Sequence, residues 1–357
     1  MPRTAVALAA VALSGHLAAA QTAERYALRG ADVAVYDPAG RVQVVAGSGG
    51  DVTVEVTRRG RDAGRLRVLT GEVRGQDAVR VVAPGGELVY PALGRNSSTS
   101  FRVRSDGTFG GDDDSGGGFL SGVFSSDRLT VRGSGSGPEA YADVTVAVPA
   151  GRRVTVQLGA GTAVAQNVDG DLRLNARSGD VTAERTRGAL TVGTGSGDVR
   201  VRGAQGSAVK VGTGSGDVEV RDLRAERIDV GTGSGDVSGG GIDGGEVRLG
   251  AGSGDFKLDL VRARTLRIGT GSGSADVGVA GELQEARVSS GSGDVTLRVP
   301  ANFGATLDVS TGSGEVTSEL PLQLSRTDKH HIVGRIGDGR AQLRVSSGSG
   351  DVRVVPR

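Results

Sequence analysis

Through the second half of the chain, apolar residues recur at fixed offsets from a short polar turn. After Asp217 come Val218, Val220, Leu223, Ile228 and Val230. After Asp198 come Val199, Val201, Ala204, Val209 and Val211, and after Asp236 come Val237, Gly239, Ile242, Val247 and Leu249. Each unit holds two runs in which apolar and polar residues alternate, the period of a strand with one buried face. The pattern predicts two short strands per unit, with the residue at the sixth offset marking a corner or a short third strand. Arg200, Glu219 and Lys257 fall on the opposite, solvent-facing side.

The turn itself is Ser-Gly-Asp, ending at Asp180, Asp198, Asp217, Asp236, Asp255, Asp294 and Asp351. Two variants complete the series: residues 272–276, read as carrying two extra residues before Asp276, and Ser313-Gly314-Glu315. Successive acids lie 18, 19, 19, 19, 21, 18, 21 and 36 residues apart. The last interval is twice 18, so one unit there has diverged or is interrupted, and Gly47 to Asp51 is a partial early copy. Five apolar side chains do not offset the entropy of ordering some nineteen residues, so one unit does not fold alone. Stacked units share apolar surface and inter-layer hydrogen bonds. The expected fold is all-β: a single-stranded parallel β-solenoid (β-helix) with about 19 residues per rung and about 4.8 Å between rungs. An antiparallel sandwich is the alternative, but its turns need not recur at one length. In Gly193-Thr194-Gly195-Ser196-Gly197, alternation continued from Val192 points Thr194 and Ser196 inward and the glycines outward. Stacked hydroxyls are then expected to bond along the column.

The rest of the chain divides by composition. Residues 1–20 read as a signal peptide: Arg3, an apolar run over 4–13, then Ala18-Ala19-Ala20 before Gln21. Residues 21–93 carry strand-like runs of irregular spacing and are expected to form an N-terminal β cap or first rungs. Residues 94–138 are polar and low in complexity, which predicts a flexible Gly/Ser/Asp-rich loop with Phe119-Leu120 and Val123-Phe124 docking locally. The solenoid repeat domain spans 139–357, with a hairpin insertion at 318–340 that covers the open end. Pro356 is expected to blunt edge pairing.

Composition narrows the functional classes. Glycine makes up 63 of 357 residues, about 18% against a usual ~7%, without a collagen period. Aromatic residues are 3%, and there is no cysteine, so stability is expected from the stack and not from disulfides. With 42 basic and 41 acidic residues the net charge is +1, which predicts no nucleic-acid partner. No stretch after the leader reaches the ~18 apolar residues of a spanning helix.

The motifs Val148-Pro149-Ala150-Gly151, the reiterated Thr-Gly-Ser-Gly-Asp-Val, Val299-Pro300-Ala301-Asn302-Phe303-Gly304-Ala305 and Ile336-Gly337-Asp338-Gly339 resemble the bacterial putative-adhesin β-strand-repeat family. The resemblance covers residues 143–357 well and the N-terminal part loosely. It implies a β-helical fold on an exported protein and brings no catalytic residues.

No residue stands out as catalytic, cofactor-binding or metal-ligating. The acid column (Asp180, Asp198, Asp217, Asp236, Asp255, Asp276, Asp294, Glu315, Asp351) is the sharpest candidate. Each acid is expected to accept backbone amides at its own turn, with nearby arginines screening the repulsion. A row of Ca²⁺ sites is the alternative, but Gly-x-Gly-x-Asp occurs only at Gly47 to Asp51 and Gly239 to Asp243. His330 and His331 are adjacent on a strand pattern and so face apart, a poor shared metal site. The Gly-x-Gly runs lack the Lys and helix of a phosphate loop. A Thr array (Thr194, Thr213, Thr232, Thr270, Thr311) suits ice binding only if it faces outward. A polysaccharide-processing enzyme needs an off-pattern acid–base pair beside aromatic platforms. The chain is therefore expected to be a non-enzyme, exported to the periplasm, cell surface or medium. Its expected role is a structural or adhesin-like surface for an envelope protein or glycan, with a Ca²⁺-binding repeat protein or a β-helical polysaccharide-processing enzyme as the alternatives.

Overall fold

The computed structural model describes residues 23–110, 126–281 and 283–357. The expected signal peptide lies outside them, as do Phe119, Leu120, Val123 and Phe124. Among the described residues there is no α-helix; two 3-10 turns, Ala63–Arg65 and Pro91–Leu93, interrupt an all-β chain.

One layer shows how the repeat is built. In the strand Val218–Ser234, Val218, Val220, Leu223, Ile228 and Val230 are each at most 3% exposed. The strand pairs in parallel with both neighbours: Val218 lies opposite Val199 on one side and Val237 on the other, an offset of 19. The offset is 18 between Val181 and Val199 and 20 between Ala275 and Val295. Like residues thus stand over like, and the apolar columns become one continuous core. The corner before the sixth-offset residue is left-handed in six layers, at Asn167, Arg185, Gly203, Asp222, Gly241 and Leu260, with φ between 49° and 70°. That bend sends Leu223, Ile242 and Val261 back into the core, each at 0% exposure.

Ser-Gly-Asp turns stack so closely that only glycine fits their centre. A Cβ on Gly254 would fall 1.8 Å from the carbonyl oxygen of Gly235, and one on Gly273 would fall 1.8 Å from that of Gly254. The same collision runs through the stack in the order Gly40, Gly161, Gly179, Gly197, Gly216, Gly235, Gly254, Gly273, Gly293, Gly350, Gly314.

This order differs from chain order at both ends. At the C-terminal end, Ala341–Ser347 and Val352–Pro356 lie between the layer of 285–299 and the layer of 305–318. The last unit is thus an inner layer, not the end of the stack. Pro356 sits beside Val299 on one side, and on the other side the pairing with Val316–Ser318 ends at Val354. The open end is covered by the antiparallel pair Leu322–Thr327 and His331–Ile336, the latter laid against Ala305–Thr311. At the N-terminal end, Asp32–Ala46 is a full layer, held in parallel by Tyr141–Val148 and Arg152–Gln166. Antiparallel strands Val52–Arg59, Glu24–Leu28 and Arg67–Val73 close this end. The architecture is all-β and β-solenoid-like, a mixed sheet that is parallel through its middle and antiparallel at its ends.

The segment 94–138, expected as a loop, carries two strands in its described part. Ser98–Arg104 and Ser126–Arg132 pair antiparallel, and Glu87–Val89 joins them in a separate three-stranded sheet. Its few large side chains decide this. Phe101 sits on Gly159, where a Cβ would strike the ring, and Phe109 meets Tyr36 edge-on at 5.8 Å. Capping the outer face there buries residues 33–40 of that strand on both sides, while Arg41 and Gln43 beyond it stay exposed.

Two outcomes follow for stability. Gly254→Ala is expected to cost about 3 kcal/mol or more, since backbone must shift, and to lower the melting temperature sharply. Gly250→Ala, four residues away with nothing within 4 Å of its Cβ position, is expected to gain up to about 1 kcal/mol. Thermal melts of the two variants check this pair; equal effects would refute the close-stacking account.

Candidate functional site

The inward hydroxyls and the outward carboxylates of the turn form two ladders. Thr194, Thr213, Thr232, Thr270, Ser290, Ser347 and Thr311 are 6–8% exposed, so this Thr array faces inward. Each donates its hydroxyl to the turn-glycine carbonyl of the preceding layer, from Thr213 to Gly197 at 2.9 Å and from Thr311 to Gly350 at 2.7 Å. The hydroxyls therefore bond to backbone and not to one another. Alternation ends there: Ser196, Ser215, Ser234 and Ser253 are exposed, because the chain rolls outward as the turn closes. In the layers past Gly254 the same hydroxyl also accepts the amide of the turn glycine, as from Gly293 to Ser290 at 2.8 Å.

Asp37 heads this inward column. It lies opposite Leu158, which lies opposite Ala176, which lies opposite Thr194. Asp37 is fully buried; Oδ1 accepts the amide of Ala39, and Oδ2 has no hydrogen-bond partner. Burial pushes its carboxyl well above the usual range, and Leu158 stands at the next register position.

Carboxylates on the outer rim bond between layers, not within their own turns. The amide of Asp198 donates to Oδ1 of Asp180, that of Asp217 to Asp198, that of Asp236 to Asp217 and that of Asp255 to Asp236, at 2.9–3.1 Å. Beyond this run Ser274, not Asp276, donates its amide to Asp255. Asp276 instead lies opposite Lys257 on the strand and pairs with Arg298. The supposed two-residue insertion is therefore absent from the turn; Ala275 and Val277 continue the apolar register of Phe256 and Leu258. The ladder resumes from Asp351 to Asp294 and from Glu315 to Asp351. Among the described residues no three His, Cys, Asp or Glu converge as metal ligands. Asp51 lies near Arg29 and Asp243 near Arg224. His330 meets the carbonyl of Gly314 and His331 meets Asp308, so the pair faces apart.

The outer faces differ in how their charges are met. Along the first run of the units beginning at Val199 and Val218, cation and anion interleave. Glu219 accepts from Arg221 at 2.7 Å and lies within 4 Å of Arg202 and Arg200. The hydrogen bond from Arg221 holds its carboxyl below the usual range. Along the second run, an open groove of about 560 Å³ crosses several layers. Gly212, Gly231, Gly250 and Gly269 form its floor, and Lys210, Asp229, Arg248, Arg267 and Arg287 form one wall. These glycines differ from those of the turns. None has positive φ. A Cβ would meet nothing nearer than 3.4 Å at Gly212 or 3.6 Å at Gly269, and nothing within 4 Å at Gly250; only Gly231 is tighter, at 3.2 Å. Glycine inside a strand costs roughly 0.5–1 kcal/mol relative to alanine, so neither packing nor conformation accounts for Gly212, Gly250 or Gly269.

The family model described as Toastrack DUF4097 matches residues 132–355. The chain belongs to the Toastrack family. The matched span contains every motif on which the adhesin-like resemblance rests, and it covers the parallel middle of the stack and the groove. No curated protein matches the chain. A solved structure named as a "putative cell adhesion protein" from Clostridium sporogenes is 8% identical, over 94% of this chain and 99% of that one, with a TM-score of 0.22. That likeness is too slight to bear on fold or function. No helix of the Toastrack chain, among the described residues, is long and apolar enough to cross a membrane.

Two measurements test the inward column. Ala251 lies opposite Thr232 and Thr270 and is its one alanine between hydroxyls. Ala251→Thr is expected to restore the missing bond to Gly235 and add about 1 kcal/mol, read as a higher melting temperature. Asp37 supplies a pH dependence of defined sign. Its unfolded-state pKa is near 3.8 and its folded-state pKa lies above that. The folded chain thus keeps a proton the unfolded chain has lost, and this group's contribution falls as pH rises from 3.8 to the folded value, by about 1.4 kcal/mol per unit. Asp37→Asn is expected to remove that slope; parallel wild-type and variant melting curves between pH 4.5 and 7.5 would refute it.

Proposed function

We propose that the chain is an exported, non-enzymatic protein whose stacked outer faces serve as a structural or adhesin-like binding surface at the cell envelope. The same reading takes the stack as a single-stranded parallel β-solenoid with about 19 residues per rung. One observation carries it: among the described residues the rim presents one turn carboxylate per layer at a fixed register, from Asp180 through Asp198, Asp217, Asp236 and Asp255. Asp37, the acid whose ionisation burial perturbs most, is sealed in the core and reaches no solvent. A repeated, rigid surface suits attachment, because each layer offers the next a contact of the same kind. Membership of the Toastrack family and the leader-like residues 1–20 support export.

The amide ladder supports a structural role for the acids of the column other than Asp276, and the inward Thr column presents no flat hydroxyl array to solvent.

The test is a binding screen of the secreted chain, starting at Gln21, against arrays of envelope and host glycans and proteins. Saturable binding to at least one component is expected. Silence across the arrays, or turnover of any glycan offered, would sink this reading.

A further inference from the structure

We infer that the glycine-floored groove is a binding site for an acidic polysaccharide, whose carboxylates are taken by the row Arg248, Arg267, Arg287 and Arg344. The inference rests on the reading of the stack as a binding surface and names the ligand class for one face of it.

The register sets the row. Arg248 lies opposite Arg267, Arg267 opposite Arg287, and Arg287 opposite Arg344. Four guanidinium groups therefore stand on consecutive layers about 4.8 Å apart, an arrangement that repels itself. Glu246 offsets Arg248 and Arg267, at 2.6 and 2.8 Å. Arg287 and Arg344 are exposed and have no ion pair among the described residues. On the neighbouring face the cations are interleaved with acids, so this accumulation is local and not a general property of the surface.

The floor is built for close approach. Gly212, Gly250 and Gly269 are required neither by φ nor by packing, and the absent side chains leave the backbone bare beside the cations. Glycine within a strand marks a place where another molecule comes near the backbone. Ser289 and Ser346 continue the floor past Gly269, offering hydroxyls where the glycines end.

Chemistry selects the occupant. Arginine forks match carboxylates in two-point geometry. No aromatic residue lines the groove, so neither a neutral glycan nor unstacked bases find a stacking platform. A chain of pyranose rings bearing carboxylates, extended along the stack, needs no such platform. Its residues advance by about one layer each, so successive layers meet successive sugars.

Affinity electrophoresis of the secreted chain in gels containing polygalacturonate, dextran or single-stranded DNA tests the inference. Retardation by polygalacturonate alone is expected, relieved by salt. The double variant Arg287→Ala/Arg344→Ala is expected to bind at least tenfold more weakly. Gly250→Val/Gly269→Val is expected to lose as much while melting no lower than the wild type, which separates a blocked groove from a damaged fold. Failure of polygalacturonate to retard the chain, retardation unchanged in both variants, or equal retardation by DNA would overturn it. If acidic glycan fails but the arrays yield another ligand, the ligand assignment falls and the surface reading stands. If nothing binds anywhere, both fall.

Discussion

The structure depends on how closely one turn backbone lies on the next. The turn glycines meet peptide to peptide, at a separation that admits no Cβ, and this fixes the layer spacing at the most crowded point of each rung. The other regularities follow. A carbonyl brought that near receives the hydroxyl of the next layer, which satisfies a polar group at the edge of the core. The amide one residue on finds the carboxylate below it, which holds the rim. With the spacing set at the turn, apolar residues at equal offsets fall over one another, and a thin core of mostly valine, leucine and alanine closes with few aromatics. From Gly254 onward the turn glycines differ in backbone: Gly235 has φ of 150°, whereas Gly254, Gly273, Gly293, Gly350 and Gly314 have no positive φ.

Much of this was legible in the sequence, and the failures have physical causes. Offsets after Asp198, Asp217 and Asp236 predicted the buried set, with Gly239 alone left half-buried, because burial and period are local properties. The layer order was not legible, because parallel register gives every Ser-Gly-Asp turn the same local fit; Gly350 is as suited to stack on Gly293 as Gly314 is. Only the 36-residue interval hinted at the rearrangement. Asp276 was misplaced by aligning on the acid when Ala275 and Val277 carried the register. Gly40 and Gly161 were missed as turn glycines because no Ser or Asp flanks them in the pattern. In residues 94–138, low complexity outweighed Phe101 and Phe109, which need a partner surface far away in sequence before their strand becomes visible. Asp37 drew no notice beside a run of acids, yet it is the acid that the core surrounds.

The groove was half legible. Its glycines were read with those of the turns, since composition does not tell a residue excluded by neighbouring backbone from one with open space above it. The distinction needs coordinates: Gly254 and Gly250 are four residues apart, and only one of them is constrained. The same holds for charge. A net charge of +1 describes the chain fairly but conceals two faces, one where arginines and glutamates cancel and one where arginines accumulate.

The interleaved layers at both ends alter how such a stack comes apart. A simple coil melts like a zipper, each exposed rung leaving without disturbing the one beneath. Here the layer of 305–318 encloses a later segment, and the layer of 32–46 is clasped by strands from about a hundred residues downstream. Opening either end means parting contacts of long sequence separation all at once, so fraying gives way to a concerted transition. Assembly bears the complementary burden, since those contacts form only after long loops have closed. The molecule is thereby slow to complete and slow to lose, a kinetic character set by threading and not by the strength of any single rung.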